Sequence, residues 1–326
     1  MAETENISKM AEKISKEIFE VFGWTQVGPM NINWPCNDDK HKNSSDKKKN
    51  THPTDVVFKY QEPYSSKVTY LNLDLKSYAE NSITLLGVQN ALQSLAMAVD
   101  CAWKNEEWKK NFVDTKGDIQ VNGLLFIYNH DGEYKNDFDT ILDFVDTSKL
   151  IIPKHHRLYV LGPKDIIYLY SVANDIKVKR GEDLIPRGKL SFYYPDLTNK
   201  RTNSAENLPA SLEMLLSPYI SFKYKLDDKK ILRLYYRDRG TETKEFLYLF
   251  DYLFHYQQFQ ECDEIIISLY NCDGQAFSLF ENAKNIYKED RENSNNLTEI
   301  LKKIKCESVN TVFKRFSSIE IGMEGR

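Results

Sequence analysis

The sequence predicts an α/β fold in two domains, spanning residues 1–136 and 137–326. The chain of 326 residues is longer than one average domain, for which about 100 to 200 residues is usual. In the first part, patterns typical of a helix, two strands, a helix and a strand follow one another. The second part opens with another strand and helix, so we expect a second α/β unit there.

The first predicted element is an amphipathic helix over residues 7–22, where apolar residues recur at helical spacing. Gly23 and the Gly28-Pro29 pair end this helix. Residues 37–52 (NDDKHKNSSDKKKNTH) follow, sixteen polar residues without apolar periodicity. That segment predicts a mobile loop.

Two strands around a short turn are predicted for residues 52–79. The leucines at 71, 73 and 75 share one parity, whereas Asp74 and Lys76 share the other. Because successive side chains of a strand point to opposite faces, Asp74 and Lys76 project together. The turn at 61–66 is short enough to keep the strands antiparallel, which brings Asp55, at the start of the first strand, towards both of them.

Further elements are predicted along the rest of the chain. Residues 82–103 carry apolar residues at helical spacing, and residues 123–133 form a short apolar run that suits a buried strand ending at a turn. In the second part, ILRLYYRD and EIIISLYN have strand composition, whereas KEFLYLFDYLFHYQQFQ and LTEILKKIK predict helices.

Composition excludes several classes of protein. No apolar run approaches the ~20 residues of a bilayer-spanning helix, and the first residues lack a signal peptide, so we expect a cytoplasmic protein without a membrane partner. The five cysteines are odd in number and far apart, which indicates neither a disulfide framework nor a zinc ribbon. Cys36, His41 and His52 have irregular spacing, which does not favour a zinc site.

Charge and motifs narrow the function further. A net charge of −4 gives no global signature of nucleic-acid binding, so such binding must use local patches. The run Lys47, Lys48 and Lys49 lies just upstream of Asp55 and is the best candidate for contacting phosphates. No GxxxxGK[ST] phosphate loop is present in the sequence, which disfavours an intrinsic ATPase.

Asp55 and Asp74 offer two hard oxygen ligands, which suit Mg²⁺ or Mn²⁺. A metal held this way lowers the pKa of a bound water and offsets charge on a phosphate, while Lys76 could orient that water. The competing interpretation is structural: Asp55 is then a turn acid, and Asp74 with Lys76 is the solvated end of a strand. The surrounding order of helix, hairpin, helix and strand argues against it.

These residues resemble the motif of the PD-(D/E)xK nuclease superfamily. Pro53-Thr54-Asp55 stands for its PD and Asp74-Leu75-Lys76 for its (D/E)xK, with Thr54 as an inserted residue. The resemblance implies a restriction-endonuclease-like mixed sheet flanked by helices, and it covers roughly residues 7–129.

The superfamily often adds an acid from the helix before the sheet, and Glu17 and Glu20 are the candidates. Glu17 lies roughly 80° from the apolar stripe and Glu20 roughly 140°, so we expect Glu17 to complete the metal ligands and Glu20 to face water. Gln89 lies within the apolar stripe of the next helix and needs a partner for its amide, which favours a supporting role in the site. Ser77 and Tyr78, directly after the lysine, are candidate substrate contacts.

The segments HPTDVVF, LNLDLKSYA and EFLYLFDYLFHYQ also look like those of nuclease subunits in two-gene bacterial anti-phage systems. This second resemblance implies DNA as substrate and a second protein subunit in a hetero-oligomer. We therefore expect a Mg²⁺-dependent deoxyribonuclease whose C-terminal domain binds a partner or DNA. The alternatives are a non-catalytic DNA-binding or assembly subunit, and an RNase or resolvase of the same superfamily.

Overall fold

The computed structural model of the chain describes residues 2–43, 45–195, 208–256, 258–259, 262–291 and 295–314, with the backbone alone for 2–8 and 295–296. The first half begins with helix α1 (Ala2–Phe19). The elements that follow are β1 (Thr25–Val27), β2 (Ile32–Pro35), β3 (Thr51–Thr54), β4 (Val56–Gln61), β5 (Val68–Tyr78), α2 (Leu85–Ala102), α3 (Glu106–Phe112), β6 (Ile119–Asn129), α4 (Phe138–Asp143) and β7 (Leu158–Leu161).

The second half begins with the longest helix of the described chain, α5 (Pro163–Gly181). The elements that follow are β8 (Ser191–Phe192), α6 (Leu212–Leu216), β9 (Tyr219–Leu226), β10 (Lys229–Tyr236), α7 (Thr243–His255), β11 (Glu264–Tyr270), α8 (Ala276–Glu289), α9 (Asn295–Lys303) and β12 (Ile304–Val309). The strands and helices expected from the sequence are confirmed, including the strand, turn and helix at β7 and α5.

The first half folds around a mixed sheet of order β1-β4-β5-β6-β7. Strands β1, β4 and β5 are antiparallel neighbours, whereas β5, β6 and β7 run parallel. Strands β2 and β3 form a separate two-stranded sheet. This mixed sheet with helices on its faces is the predicted architecture. It also includes β7, which lies beyond the expected domain boundary at residue 137.

A second sheet of order β12-β11-β10-β9-β8 repeats the strand directions of the first. Strands β8, β9 and β10 are antiparallel, and β10, β11 and β12 are parallel. In both halves a long helix precedes the sheet, and a helix connects the third strand to the fourth. The C-terminal α/β unit therefore has the same topology as the N-terminal unit.

Helices α1 and α5 form a layer between the two sheets. One continuous core contains Ile18 of α1, Ile176 of α5, Leu73 of the first sheet and Tyr235 of the second. The other face of the first sheet packs on α2, and the other face of the second packs on α7 and α8. Asp74 has the opposite parity to Leu73 and therefore points to the α2 face.

The polar segment 37–52 is anchored by two buried histidines. His41 and His52 are fully buried, and His52 belongs to β3, so the expectation of a mobile loop is wrong for these residues. The loop between them closes on itself through a bridge between Lys42 and Lys48. Among the helices in the described part of the chain, none is both long enough and apolar enough to cross a bilayer.

Gly123 of β6 is required by the close approach of α2 and β7. A Cβ atom there would lie 2.6 Å from Leu158 Cδ2 and 2.9 Å from Val99 Cγ2. Gly123→Ala should lower the free energy of unfolding by about 1–3 kcal/mol, as overpacked cores do. Urea denaturation measures this change.

Gly181→Ala is the matched control, because a Cβ there meets no atom within 4 Å. It should leave stability unchanged or slightly raised. Equal stability of Gly123→Ala and the wild type would contradict this packing.

Candidate active site

Pairing between β4 and β5 places Asp55 beside the Asp74-Leu75-Lys76 segment. Val56 is opposite Leu73, so Asp55 and Asp74 face each other one residue further along, directly before β4 begins and towards the C-terminal end of β5. Asp55 Oδ2 accepts a hydrogen bond of 2.6 Å from the Leu75 backbone N–H. Lys76 Nζ forms an ion pair with Asp74 Oδ1. The structure thus brings together the three residues that the sequence singled out.

The inserted residue Thr54 explains how the Pro-Thr-Asp segment is held. Its Oγ1 donates to Asn72 Oδ1 at 2.6 Å and accepts from Trp34 Nε1 at 2.9 Å. All three side chains are buried. These hydrogen bonds tie Thr54, the last residue of β3, to β2 and β5, and so fix the chain directly before Asp55.

The electrostatics of the site depend on burial and on the two carboxylates. Burial raises the pKa of Asp55 to about 6, and the negative charge of Asp74 adds to this rise. Burial disfavours the charged form of Lys76, but Asp74 and Asp55 outweigh it and hold the pKa of Lys76 above its usual value. A pair of carboxylates at close quarters is stabilised by a cation, and Lys76 supplies one positive charge here.

A cavity of about 460 Å³ opens over these residues, between the sheet and α2. Its sheet side includes Asp55, Asp74, Lys76 and Tyr78, and its helix side is formed by residues of α2: Gly87, Asn90, Ala91, Ser94, Leu95 and Ala98. Lys49 of the polar segment donates to Ser94 Oγ at 3.0 Å. Burial lowers the pKa of Lys49, while Asp74 acts in the opposite direction.

Glu17 lies away from the cavity, on the face of α1 that packs against α5. Its carboxylate accepts a hydrogen bond of 3.1 Å from the Tyr170 hydroxyl and lies 3.9 Å from Lys177 Nζ. Glu20 is exposed and pairs with Lys16 at 3.8 Å. The structure therefore does not bring Glu17 to Asp55 and Asp74.

Glu12 of α1 is linked to Asp55 through Asn31. Its Oε1 accepts a hydrogen bond of 2.8 Å from Asn31 Nδ2, and the Asn31 N–H donates to the Asp55 carbonyl at 2.9 Å. The charge of Glu12 also contributes to the raised pKa of Asp55. The angular position on the helix could not have revealed Glu12, because the link depends on the fold of the chain around Asn31.

Gln89 is buried, but its amide bonds to the backbone of Asp146 and not to a residue of the candidate site. Its Oε1 accepts from the Asp146 N–H at 2.7 Å, and its Nε2 donates to the Asp146 carbonyl at 3.2 Å. These two bonds satisfy the amide and join α2 to the segment after α4. The residues of α2 that face the cavity are its neighbours, Asn90 and Ser94 among them.

The remaining candidates are the three lysines of the polar segment and the two residues after Lys76. Lys47 and Lys48 are exposed, and Lys48 pairs with Asp39. Ser77 Oγ lies 3.3 Å from His130 Nδ1, whereas Tyr78 lines the cavity. Of these candidates, Tyr78 therefore lines the cavity and Lys49 contacts its wall at Ser94.

The second sheet presents different residues at the corresponding place. On its face towards α7, the outermost pair between β9 and β10 is Tyr219 and Tyr236. Their rings stack with centroids 5.4 Å apart. Where the first sheet has two facing carboxylates, the second has two packed aromatic rings.

This fold and the Asp, Asp, Lys arrangement define a nuclease of the PD-(D/E)xK class. The profile of the GAPS4 protein PD-(D/E)XK nuclease domain matches residues 1–165 of the chain. The match covers just over half of the 326 residues and includes all of the first sheet, and the chain belongs to this family, which is a defence-system family. Comparison with curated proteins gives no significant match.

The contrast between Glu12 and Glu17 can be tested by neutralising each. Glu12→Gln keeps an amide oxygen for Asn31 but removes the charge near Asp55, and it should lower the rate of phosphodiester cleavage by about tenfold, or about 1.4 kcal/mol in activation free energy. Glu17→Gln should stay within about twofold of the wild type. Initial rates on a fluorescent substrate measure both, and a larger loss in Glu17→Gln would reverse the assignment.

Thr54→Val removes the hydroxyl but keeps the shape of the side chain. The buried Trp34 N–H and Asn72 amide oxygen then lose a partner, which should cost about 1–3 kcal/mol in the free energy of unfolding. Thr51→Val, an exposed change in the same strand, is the control. Denaturant unfolding gives both values, and equal stability of the two variants would show that Thr54 does not hold this segment.

Proposed function

We propose that the chain is a metal-dependent endonuclease that cleaves DNA, with its active site at Asp55, Asp74 and Lys76. The observation that carries the proposal is the pairing of Val56 with Leu73, which sets two carboxylates and a lysine at one edge of the sheet beneath a cavity. The cavity is open to a substrate, and its polar residues are of the types that bind metal and phosphate.

The donor set fits Mg²⁺ or Mn²⁺. Both prefer carboxylate oxygens and keep several waters, so two aspartates with space beside them suit either ion. Asp55 has one oxygen engaged by the Leu75 N–H, which orients the carboxylate and leaves its other oxygen for a cation. Burial and the charge of Asp74 raise the pKa of Asp55, and a cation bound by both carboxylates would stabilise their charged forms. When bound, the ion supplies Lewis acidity and lowers the pKa of a bound water.

The residues of the chain have distinct roles in this proposal. Asp55 and Asp74 hold the cation, and Glu12 contributes negative charge near Asp55 through its link to Asn31. Lys76 stays protonated between the carboxylates and can orient the attacking water or stabilise the negative charge that develops on the phosphate. Asn90 and Ser94 can donate hydrogen bonds to substrate oxygens from the opposite wall.

DNA is the proposed substrate, bound through local positive charge. Lys49, the last residue of the run Lys47 to Lys49, contacts Ser94 at the wall of the cavity. Lysines of this kind bind phosphates without regard to base sequence. The surrounding chain is mildly acidic, with a net charge of −4, so the basic run marks the side from which a polyanion can approach.

Within a defence system, the proposed role is that of the cytoplasmic effector subunit of a hetero-oligomeric complex. The family to which the chain belongs supports the defence role, and the second sheet supports the presence of a partner. Exposed aromatic side chains lie on its outer helices, where Tyr248 of α7 is 68% exposed and Phe277 of α8 is 43% exposed. Exposed aromatic residues are enriched at protein interfaces.

Asp74→Asn should abolish cleavage of plasmid DNA, because it removes one of the two charges that hold the cation. We expect a loss of at least about 10³-fold, or about 4 kcal/mol in activation free energy. Cleavage by the wild type should require added Mg²⁺ or Mn²⁺. A gel assay of nicked and linear product measures the rates, and Mn²⁺ titration of the two proteins measures binding.

Asp118→Asn is the matched control, since Asp118 is an exposed acid directly before β6, at the opposite end of the strands from Asp74. It should cleave and bind Mn²⁺ like the wild type. If Asp74→Asn nicks DNA as fast as Asp118→Asn, the assigned site is wrong. If the wild type binds no Mn²⁺ and cuts no DNA with its co-encoded protein present, the non-catalytic alternative holds.

Parallel cleavage assays on duplex DNA, single-stranded DNA, a branched junction and RNA determine the substrate class. Preferential cleavage of duplex DNA agrees with the proposal. Exclusive cleavage of RNA or of the junction would assign the chain to the RNase or resolvase alternative.

A further inference from the structure

Two cysteines and two histidines form a cluster that joins the polar segment 37–52 to α2. Cys36 follows β2, His41 lies within the segment, His52 belongs to β3, and Cys101 is near the end of α2. Their ligand atoms all lie within 4.8 Å of one another, and both histidines and Cys101 are buried. None of the four lines the cavity at Asp55 and Asp74.

The distances between these atoms are those of the edges of a tetrahedron around a metal ion. With Zn–S of about 2.3 Å and Zn–N of about 2.0–2.1 Å, two sulfurs lie about 3.8 Å apart, two nitrogens about 3.3–3.4 Å, and a sulfur and a nitrogen about 3.5–3.6 Å. The Sγ atoms of Cys36 and Cys101 are 3.8 Å apart, and His41 Nδ1 and His52 Nε2 are 3.3 Å apart. His41 Nδ1 lies 3.5 Å from Cys36 Sγ and 3.3 Å from Cys101 Sγ.

We propose that Cys36, His41, His52 and Cys101 bind one structural Zn²⁺ ion. Two thiolates and two imidazoles in tetrahedral array form the Cys₂His₂ set that zinc prefers. Four protein ligands fill the coordination shell, so the ion holds the fold together and has no open position for chemistry. It is thus distinct in ligands and in role from the proposed Mg²⁺ site.

Contacts outside the ligand set orient His41 for this role. Its other ring nitrogen, Nε2, lies 3.1 Å from Asp100 Oδ2, and Lys104 Nζ lies 3.2 Å from the other oxygen of that carboxylate. A carboxylate that receives the second N–H of a metal-bound histidine fixes its tautomer and orientation. With Nε2 protonated towards Asp100, Nδ1 presents its lone pair to the centre of the cluster.

The ion would tie the polar segment to the nuclease site. His52 and Asp55 lie on one continuous stretch through β3, and Lys49 lies between His41 and His52 in sequence. Zinc would therefore fix β3, which ends directly before Asp55, and it would hold Lys49 at the wall of the cavity. The sequence did not favour this site because the fourth ligand, Cys101, comes from a helix far along the chain.

Metal analysis of the intact protein tests the proposal. Protein purified without chelator, in buffer supplemented with Zn²⁺ and then desalted, should carry one zinc per chain by elemental analysis and by native mass spectrometry. Asp74→Asn should carry the same amount, because that residue belongs to the other site. The Cys36→Ser and Cys101→Ser variants should lose the zinc, whereas Cys272→Ser, a partly buried cysteine outside the cluster, should retain it.

Two measurements on the wild type keep the test independent of how well the variants fold. Replacement of zinc by Co²⁺ should give the visible absorption of a tetrahedral ion with thiolate ligands. A mercurial that binds thiols should release one zinc per chain to a colorimetric indicator. Folded wild type that contains no zinc, or that shows a disulfide between Cys36 and Cys101 by peptide mapping, would overturn the proposal.

Discussion

The register between β4 and β5 is the constraint on which the candidate active site depends. Pairing Val56 with Leu73 buries both on the side of α1 and α5 and turns Asp55 and Asp74 to the other side, towards α2. A shift by one residue would move Asp74 and Lys76 into the apolar core and the leucines into the cavity. The hydrophobic free energy of the leucine face therefore holds the polar face in place, and the Thr54 hydrogen bonds add to it from β3.

The two sheets share a layer of helices and a topology, but they present different chemistry at the same edge. In the first sheet, close carboxylates carry an electrostatic cost that Lys76 offsets in part. In the second, Tyr219 and Tyr236 stack and gain stability from burial. The first sheet thus carries a pair of carboxylates, whereas the second contributes apolar packing and an outer surface with exposed aromatic side chains.

Periodicity in the sequence was sufficient to predict the helices, the hairpin and the grouping of Asp55, Asp74 and Lys76, because each of these depends on local spacing. Contacts between elements distant in the chain could not be predicted in this way. Glu12 is linked to Asp55 through Asn31, which has a positive φ of 54° in the turn before β2. Gln89 finds its partners at Asp146, and Cys101 joins Cys36 only after α2 has packed on the sheet.

The claim that Asp55 and Asp74 form a divalent-metal site is tested most directly by anomalous diffraction from crystals soaked in Mn²⁺. We expect a manganese peak within coordination distance of both carboxylates, with Lys76 beside it. A zinc signal at Cys36 and Cys101 would be resolved separately at the zinc absorption edge. A map in which manganese is absent between Asp55 and Asp74, while duplex DNA is still cleaved in solution, would show that these two aspartates do not form the metal site.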